Sequence, residues 1–522
     1  MHGVETILFL VVLGTVVAAF AGRLRVPAPS LLVIAGLVVG LLPGFPPVHV
    51  PPDVVSLVVL PPLLYAASEE LSWRDLRAVW RPVAVLAVGL VLASAAAVAA
   101  VTWAVAAVPA SLAFVLGAVL ASTDPVAVSA LGRRLSLPPK VQTLVQAESL
   151  FNDATSLVLF QIAVSFAVTG TAGPAVAGVV RGAGQFAVLA GGGAAVGGVI
   201  AAGVILLRRR ITDPVLETVL ALVTPYGAYV AGEALHTSPV MAVIVAGLAI
   251  GTQRARITTA QTRLHLHSVY QTLIFLLESV VFSLIGLQLP SLIRDLSRAE
   301  AWPAEALAIA GTLIVARIVW VFPLSARIQR RTGARHLSWP APAVVSWAGT
   351  RGVVPLAAAL SIPLTTANGD ALPRRDLLLV LATGVIVVSL IVQGLTLEPL
   401  ARFAGIARPG DAGPEETIAR VRLAEAGLAR LEELADAEAS PDAIIDRVRT
   451  GLEVRIEHAS TDAPRLPGPG GLTERELRRD LLAAQNAELA RLHEEGVINE
   501  TTRRHLQHSL DLDAARLSDE ER

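Results

Sequence analysis

Residues 141–160 read VQTLVQAESLFNDATSLVLF, and their pattern decides the fold class. Apolar side chains dominate, yet Glu148, Ser149, Asn152 and Asp153 lie among them. At about 100° per residue, these four, with Gln142, Gln146 and Ser156, occupy about 160° of one helix circumference. The remainder is an apolar back. A charge at the bilayer centre costs about 2.5–3.5 kcal/mol on insertion scales, so such a stripe faces a bundle interior or an aqueous path. Amides and hydroxyls are enough to hold membrane helices together. Two carboxylates exceed that need and mark a functional site.

The surrounding chain has the same character. Of its 522 residues, 54% are hydrophobic and 16% charged, with a mean hydropathy of +0.63. Soluble proteins carry about 25% charged residues, so this composition excludes an ordinary water-soluble protein. Thirteen apolar spans are read, roughly at 4–22, 30–44, 53–69, 82–106, 111–131, 140–168, 184–207, 214–235, 238–251, 268–289, 304–325, 340–362 and 376–402. Several reach the ~20 residues that a membrane helix needs. The alternating segments of a membrane barrel are absent. Helices pair every backbone group inside lipid, so the class is an all-α polytopic membrane protein.

Loop charge gives direction. Eighteen Lys and Arg residues fall in alternate loops, from Arg23 to Arg335, and five in the opposite loops. The positive-inside rule puts the N-terminus outside and the C-terminus in the cytoplasm of a bacterial plasma membrane. Residues 1–404 hold 26 basic and 18 acidic residues, whereas 405–522 hold 16 and 25. The expected division is a transmembrane domain, 1–404, and an acidic cytoplasmic helical tail, 405–522. The tail's charge argues against nucleic acid as a partner, and no ligand is legible in it. There is no cysteine, which removes thiol chemistry and disulfides. No cleavable leader is expected.

Two other spans carry charge at mid-membrane depth. The fifth, SLAFVLGAVLASTDPVAVSAL, places Thr123 and Asp124 before Pro125. Proline removes an N–H and clashes with the preceding turn, leaving carbonyls beside a carboxylate and a hydroxyl. That set suits a small hard cation. The twelfth, PAPAVVSWAGTRGVVPLAAAL, places Arg351 among Gly349, Gly352 and Pro355. Arginine keeps its charge, so it needs an anion; Glu148 and Asp153 are the candidates. Spans five and twelve hold matching places in two six-span halves of opposite orientation, and paired broken helices in inverted repeats point to a transport site. Glu278 has two readings, lining a path from the cytoplasm or pairing with Arg317. Arg317 reads as an internal ion pair or a snorkelling side chain. Glu233 reads as interfacial, and His265 and His267 as solvated loop residues.

ASTDPVAV, ESLFNDATSLVLF and WAGTRGVVPLAAAL, in this order, resemble the bacterial sodium/proton antiporters of the monovalent cation:proton antiporter-1 family, relatives of the eukaryotic sodium/proton exchangers. TPYGAYVAGEAL, SPVMAVIVAGLAIG and FLLESVVFSLIGLQL extend the likeness over about residues 1–405. The resemblance implies two broken helices crossing at mid-membrane and a homodimer formed through a scaffold domain. It implies electroneutral exchange of Na+ for H+, serving pH and sodium homeostasis, with no catalytic residue and no cofactor. Asp153 would bind cation and proton in turn, with Asp124, Thr123, Ser149 and Asn152 completing or organising the site. Asn152 stands where electrogenic relatives have a second Asp, which implies one cation per proton. Glu148 would pair with Arg351. One departure is Ala66 in LPPLLYAASEEL, where the family commonly has Glu; Glu69 and Glu70 follow at the expected cytoplasmic rim. It leaves K+/H+ exchange as the alternative, with Li+ a further possible cargo. A channel lacks its filter loop, and an intramembrane aspartyl protease using Asp124 and Asp153 lacks its glycine motif.

Overall fold

The computed structural model describes residues 2–24, 27–42, 55–124, 139–169, 175–211, 213–258, 260–294, 296, 301–331, 338–366, 370, 372–405, 414–436, 446, 448–453 and 472–519. Among the described residues every regular element is helical. In the transmembrane region these are α1 (His2–Leu24), α2 (Ala28–Leu41), α3 (Leu60–Glu69, entered through a π-helical stretch, Val55–Val59), α4 (Trp73–Val105), α5 (Ala110–Leu120), α6 (Pro139–Thr169) and α7 (Ala175–Arg208). They continue as α8 (Pro214–Ala234), α9 (Pro239–Ile257), α10 (Ala260–Arg294), α11 (Trp302–Arg331), α12 (Pro340–Trp347), α13 (Val353–Leu360) and α14 (Arg375–Phe403). Each of the thirteen expected spans has its helix, with α12 and α13 sharing one. Among the described residues, seven helices are long and apolar enough to cross a membrane. Pro125 lies outside the described residues.

The molecule divides into two compact units. One comprises Met1–Ile211, Val219–Arg254 and Tyr270–Pro409. Within it α14 is the central post: 83% of its apolar window is buried, against 17% for α7. Val199 and Val188 of α7 are accordingly exposed, as a lipid-facing helix requires. Leu86, Val145, Val321, Val344, Val345 and Leu397 form one apolar cluster that ties α12 to α4, α6, α11 and α14. Elsewhere backbones touch directly. A Cβ on Gly36 would lie 2.0 Å from the Ser283 carbonyl, and one on Gly286 would lie 2.0 Å from that of Val33. Small residues permit such close approach where no hydrophobic force separates helix from lipid.

The second unit comprises Thr212–Thr218, Ala255–Val269 and Gly410–Arg522. Its tail helices are α15 (Pro414–Asp436), α16 (Leu472–Glu495) and α17 (Glu500–Asp519). They enclose Ala419, Leu423, Leu489, Leu492, Ile498, Leu506 and Leu510. Arg263 grips the Asp511 carboxylate with two nitrogens, one at 2.9 Å. The His267 and His508 rings lie 5.9 Å apart. A hydrogen bond with His505, outweighing burial, lowers the Glu416 carboxyl to about 2, and the same bond raises the His505 imidazole.

Candidate functional site

The site begins where α5 stops. Ser122, Thr123 and Asp124 leave the helix, and their backbone meets the break between α12 and α13. The Asp124 N–H donates to the Thr350 carbonyl at 2.7 Å, and the Thr350 hydroxyl donates back to the Asp124 carbonyl at 2.9 Å. Two unwound segments therefore satisfy each other's backbone groups, which membrane burial demands. Gly352 is needed here for space: a Cβ would stand 1.5 Å from Asp124 Oδ2. Gly349 does the same for Arg317, whose Cδ would be 2.7 Å from an added Cβ. Pro355 is buried in the first turn of α13, where its missing N–H has no helical partner to lose.

The stripe of α6 docks along this break. Ser156 donates to the Ala118 carbonyl at 2.6 Å, and Ser149 to the Thr123 carbonyl. The Asn152 amide reaches Thr123 Oγ1 at 2.6 Å and Glu148 Oε1 at 3.0 Å, while its oxygen accepts the Thr123 N–H at 3.2 Å. Asn152 thus stitches α6 to the open end of α5. Asp153, one residue on, is 6% exposed, and its Oδ1 has no hydrogen-bond partner among the described residues. Its polar neighbours are Ser122, Asp124 and Glu148. The structure therefore brings Thr123, Asp124, Glu148, Ser149, Asn152 and Asp153 together.

The expected Glu148–Arg351 pair is not formed. Glu148 is held by Arg317, through two parallel bonds of 2.8 and 2.6 Å. Arg317 also donates to the Val345 carbonyl at 3.1 Å, so it links α11 to α6 and α12. This corrects the pairing and gives Arg317 the internal ion pair that the sequence offered as one of its readings. The physical reason is that Arg351 has other acceptors. It donates to the Leu120 carbonyl at 3.1 Å and to the Gly349 carbonyl, groups that helix termination leaves without helical donors. Its backbone N–H is taken by Ser389 Oγ at 3.1 Å. Ser389 in turn donates to Gln393, whose amide donates to the Trp347 carbonyl at 3.3 Å.

Sequence reasoning missed Ser122, Thr350, Ser389 and Gln393. Ser389 and Gln393 stand four apart on α14, a spacing that marks one helix face. Glu69 also differs from expectation: it is buried, 7% exposed, although Glu70 is exposed as a rim residue should be. Ala66 is buried one turn before it. Glu278 is half-buried. Glu233, His265 and His267 are exposed.

A family model described as the transmembrane sodium/hydrogen exchanger matches residues 7–403. The chain belongs to the sodium/hydrogen exchanger family. This exchanger is 33% identical to an uncharacterized Na(+)/H(+) exchanger of Mycobacterium tuberculosis strain H37Rv, over 99% of this chain and 97% of that one. It is 31% identical to the low-affinity Na(+)/H(+) antiporter NhaS1 of Synechocystis, over 82% and 79% of the two chains. It shares the fold of the sodium proton antiporter MjNhaP1 from Methanocaldococcus jannaschii, with a TM-score of 0.61 at 22% identity, over 77% of this chain and 98% of that one. The exchanger is thus a multi-pass membrane protein built on the antiporter fold.

Proposed function

We propose that the exchanger moves Na+ against H+ by alternating access, with Asp153 holding each in turn. The observation that carries this reading is Asp153 itself, a buried carboxylate with an oxygen left without a hydrogen bond beside an unwound helix end. Burial penalises a bare carboxylate, so Asp153 takes either a proton or a small cation. A protein that reorients only when this charge is covered must trade one species for the other. Sodium is the cation named for relatives such as the Synechocystis antiporter, and the K+/H+ alternative is not favoured.

Asn152 supports one-for-one, electroneutral exchange. It is engaged as a neutral hydrogen-bonding bridge, so the site holds one titrating group on that turn. Asp124 completes the negative field at the crossing. Glu148 with Arg317 forms a structural pair. The role follows as pH and sodium homeostasis in a bacterial plasma membrane. The homodimer, the outside N-terminus and the cytoplasmic tail domain, 405–522, belong to the same reading. Single cysteines placed in this cysteine-free chain report the orientation by labelling from one side.

The test is proton flux in proteoliposomes driven separately by Na+, K+ and Li+. Asp153→Asn is expected to abolish cation-dependent proton movement while the protein remains folded. Undiminished exchange by this variant overturns the assignment. Net charge movement during turnover overturns the one-for-one stoichiometry.

A further inference from the structure

The hydrogen bonds around Asp153 use part of the valence of its neighbours. Ser149 spends its hydroxyl proton on the Thr123 carbonyl. Thr123 Oγ1 already accepts from Asn152, and the Asn152 oxygen accepts from the Thr123 N–H. Among the described residues, Asp153 Oδ1 and Ser122 Oγ are buried atoms of this site with no hydrogen bond of normal length and angle. Ser122 is fully buried, on the unwound residue directly after Ala121, and it is a polar neighbour of Asp153. Unsatisfied buried polar atoms cost free energy unless something else fills their valence.

We propose that the Ser122 hydroxyl is a direct ligand of the transported cation and sets the preference for Na+. This deepens the reading of Asp153 as the exchanging carboxylate and rests on it. A hydroxyl carries one proton and two lone pairs and rotates to suit its partner. When Asp153 is protonated, the Ser122 oxygen accepts a hydrogen bond from its carboxyl O–H. When a cation arrives, the same oxygen turns a lone pair to the ion. One short side chain thus serves both halves of the exchange without moving the backbone.

The geometry also restricts ion size. The segment carrying Ser122 is pinned on its far side by the Thr123 N–H to Asn152, by Ser149 to the Thr123 carbonyl and by Asp124 to Thr350. A ligand on a fixed backbone cannot retreat, and cage size and rigidity are what separate related hard cations. Thr123 and Ser149 hold Ser122 in place through these bonds and keep lone pairs of their own for the ion.

The experiment compares Ser122→Ala, Ser122→Cys and Ser122→Thr in proteoliposomes, reading half-saturation, maximal rate and the ratio of Na+ to K+ flux. Ser122→Ala is expected to raise the half-saturating Na+ concentration by about tenfold, with a much smaller change in maximal rate and a lower Na+ to K+ ratio. Ser122→Thr keeps the hydroxyl and is expected to stay close to the parent. Ser122→Cys keeps nearly the same volume but offers a soft sulfur, a poor ligand for a hard cation. It is expected to follow Ser122→Ala, and it carries the test where the alanine variant fails to fold. Unchanged half-saturation and selectivity in Ser122→Cys or Ser122→Ala overturns the Ser122 assignment. An active Asp153→Asn overturns the underlying reading instead, so the two failures are distinguishable.

Discussion

Arg317 and Arg351 are buried to almost the same degree, 2% and 3% exposed, in one unit, yet each finds its negative partner differently. Arg317 has a carboxylate, Glu148, held by two parallel bonds. Arg351 has carbonyls, from Leu120 at the end of α5 and from Gly349 inside the twelfth span. Carbonyls at a helix C-terminus carry part of the negative end of the helix dipole. A broken membrane helix is therefore itself a counter-charge. A cation in such a break does not require an acid, and a search for one misassigns the pair.

The comparison can be broken most directly at Arg317. Arg317→Ala strands the buried Glu148 charge, and losing one partner of a buried pair costs about 3–5 kcal/mol. Thermal unfolding in detergent is expected to show a large drop. Arg317→Lys is expected to recover only part, since an ammonium cannot match the two-pronged geometry. The next effect is smaller. Arg351→Ala removes hydrogen bonds to carbonyls, worth about 1.5–3 kcal/mol where the donor is charged. A double-mutant cycle with Glu148→Gln separates the cases: strong coupling is expected for Arg317 and little for Arg351. Stronger coupling to Arg351 would reverse the contrast.

Ser389→Ala comes next. It removes the acceptor for the Arg351 N–H and the link to Gln393, and a loss of about 1 kcal/mol is expected. Only the share carried by the Gln393 bond should vanish when Gln393 is already alanine, because the Arg351 N–H still loses its acceptor. The smallest effect sharpens the contrast from the solvent-reachable tail helices. The Glu416–His505 pair is reachable by solvent, with His505 62% exposed, so its worth is screened. The lowered Glu416 value favours the folded tail above the ordinary carboxylate range, and this is lost as pH falls toward about 2. The raised His505 value favours it below the ordinary imidazole range, and this is lost as pH rises through the raised value. Protection factors of the α15 amides in the full chain, which correct for the intrinsic pH dependence of exchange, are expected to be highest between those ranges, near pH 4.5–6.5. His505→Gln should flatten the alkaline side.

The same contrast explains what could be read from the sequence. The spans were legible because lipid imposes a length and a composition on each helix. The α6 stripe was legible because its angular spacing needs no tertiary information. Thr123 meets Ser149 and Asn152 on that stripe, a contact between two spans that the spacing of one helix does not give. The partner of Glu148 was not legible, because Arg317 and Arg351 are alike on paper and only the packing of α11 against α6 distinguishes them. Ser122 and Ser389 were also passed over. A membrane serine usually bonds back to its own helix, so nothing in its identity announces an unwound backbone or a distant N–H. Glu69 followed the hydropathy of its neighbours to the rim, yet packing buries it.

The crossing at Asp124 and Thr350 also has a consequence for how the chain is made. Those residues are 226 positions apart, and Glu148 precedes Arg317 by 169. Synthesis from the N-terminus delivers α5 and α6, with Asp124, Glu148 and Asp153, long before their partners exist. Until α11 and α12 arrive, three acids have neither a guanidinium nor a crossing peptide to face. A charge at membrane depth is costly, so the early half of the chain carries that cost until the later helices arrive. The bonds that complete the site join segments made far apart in time.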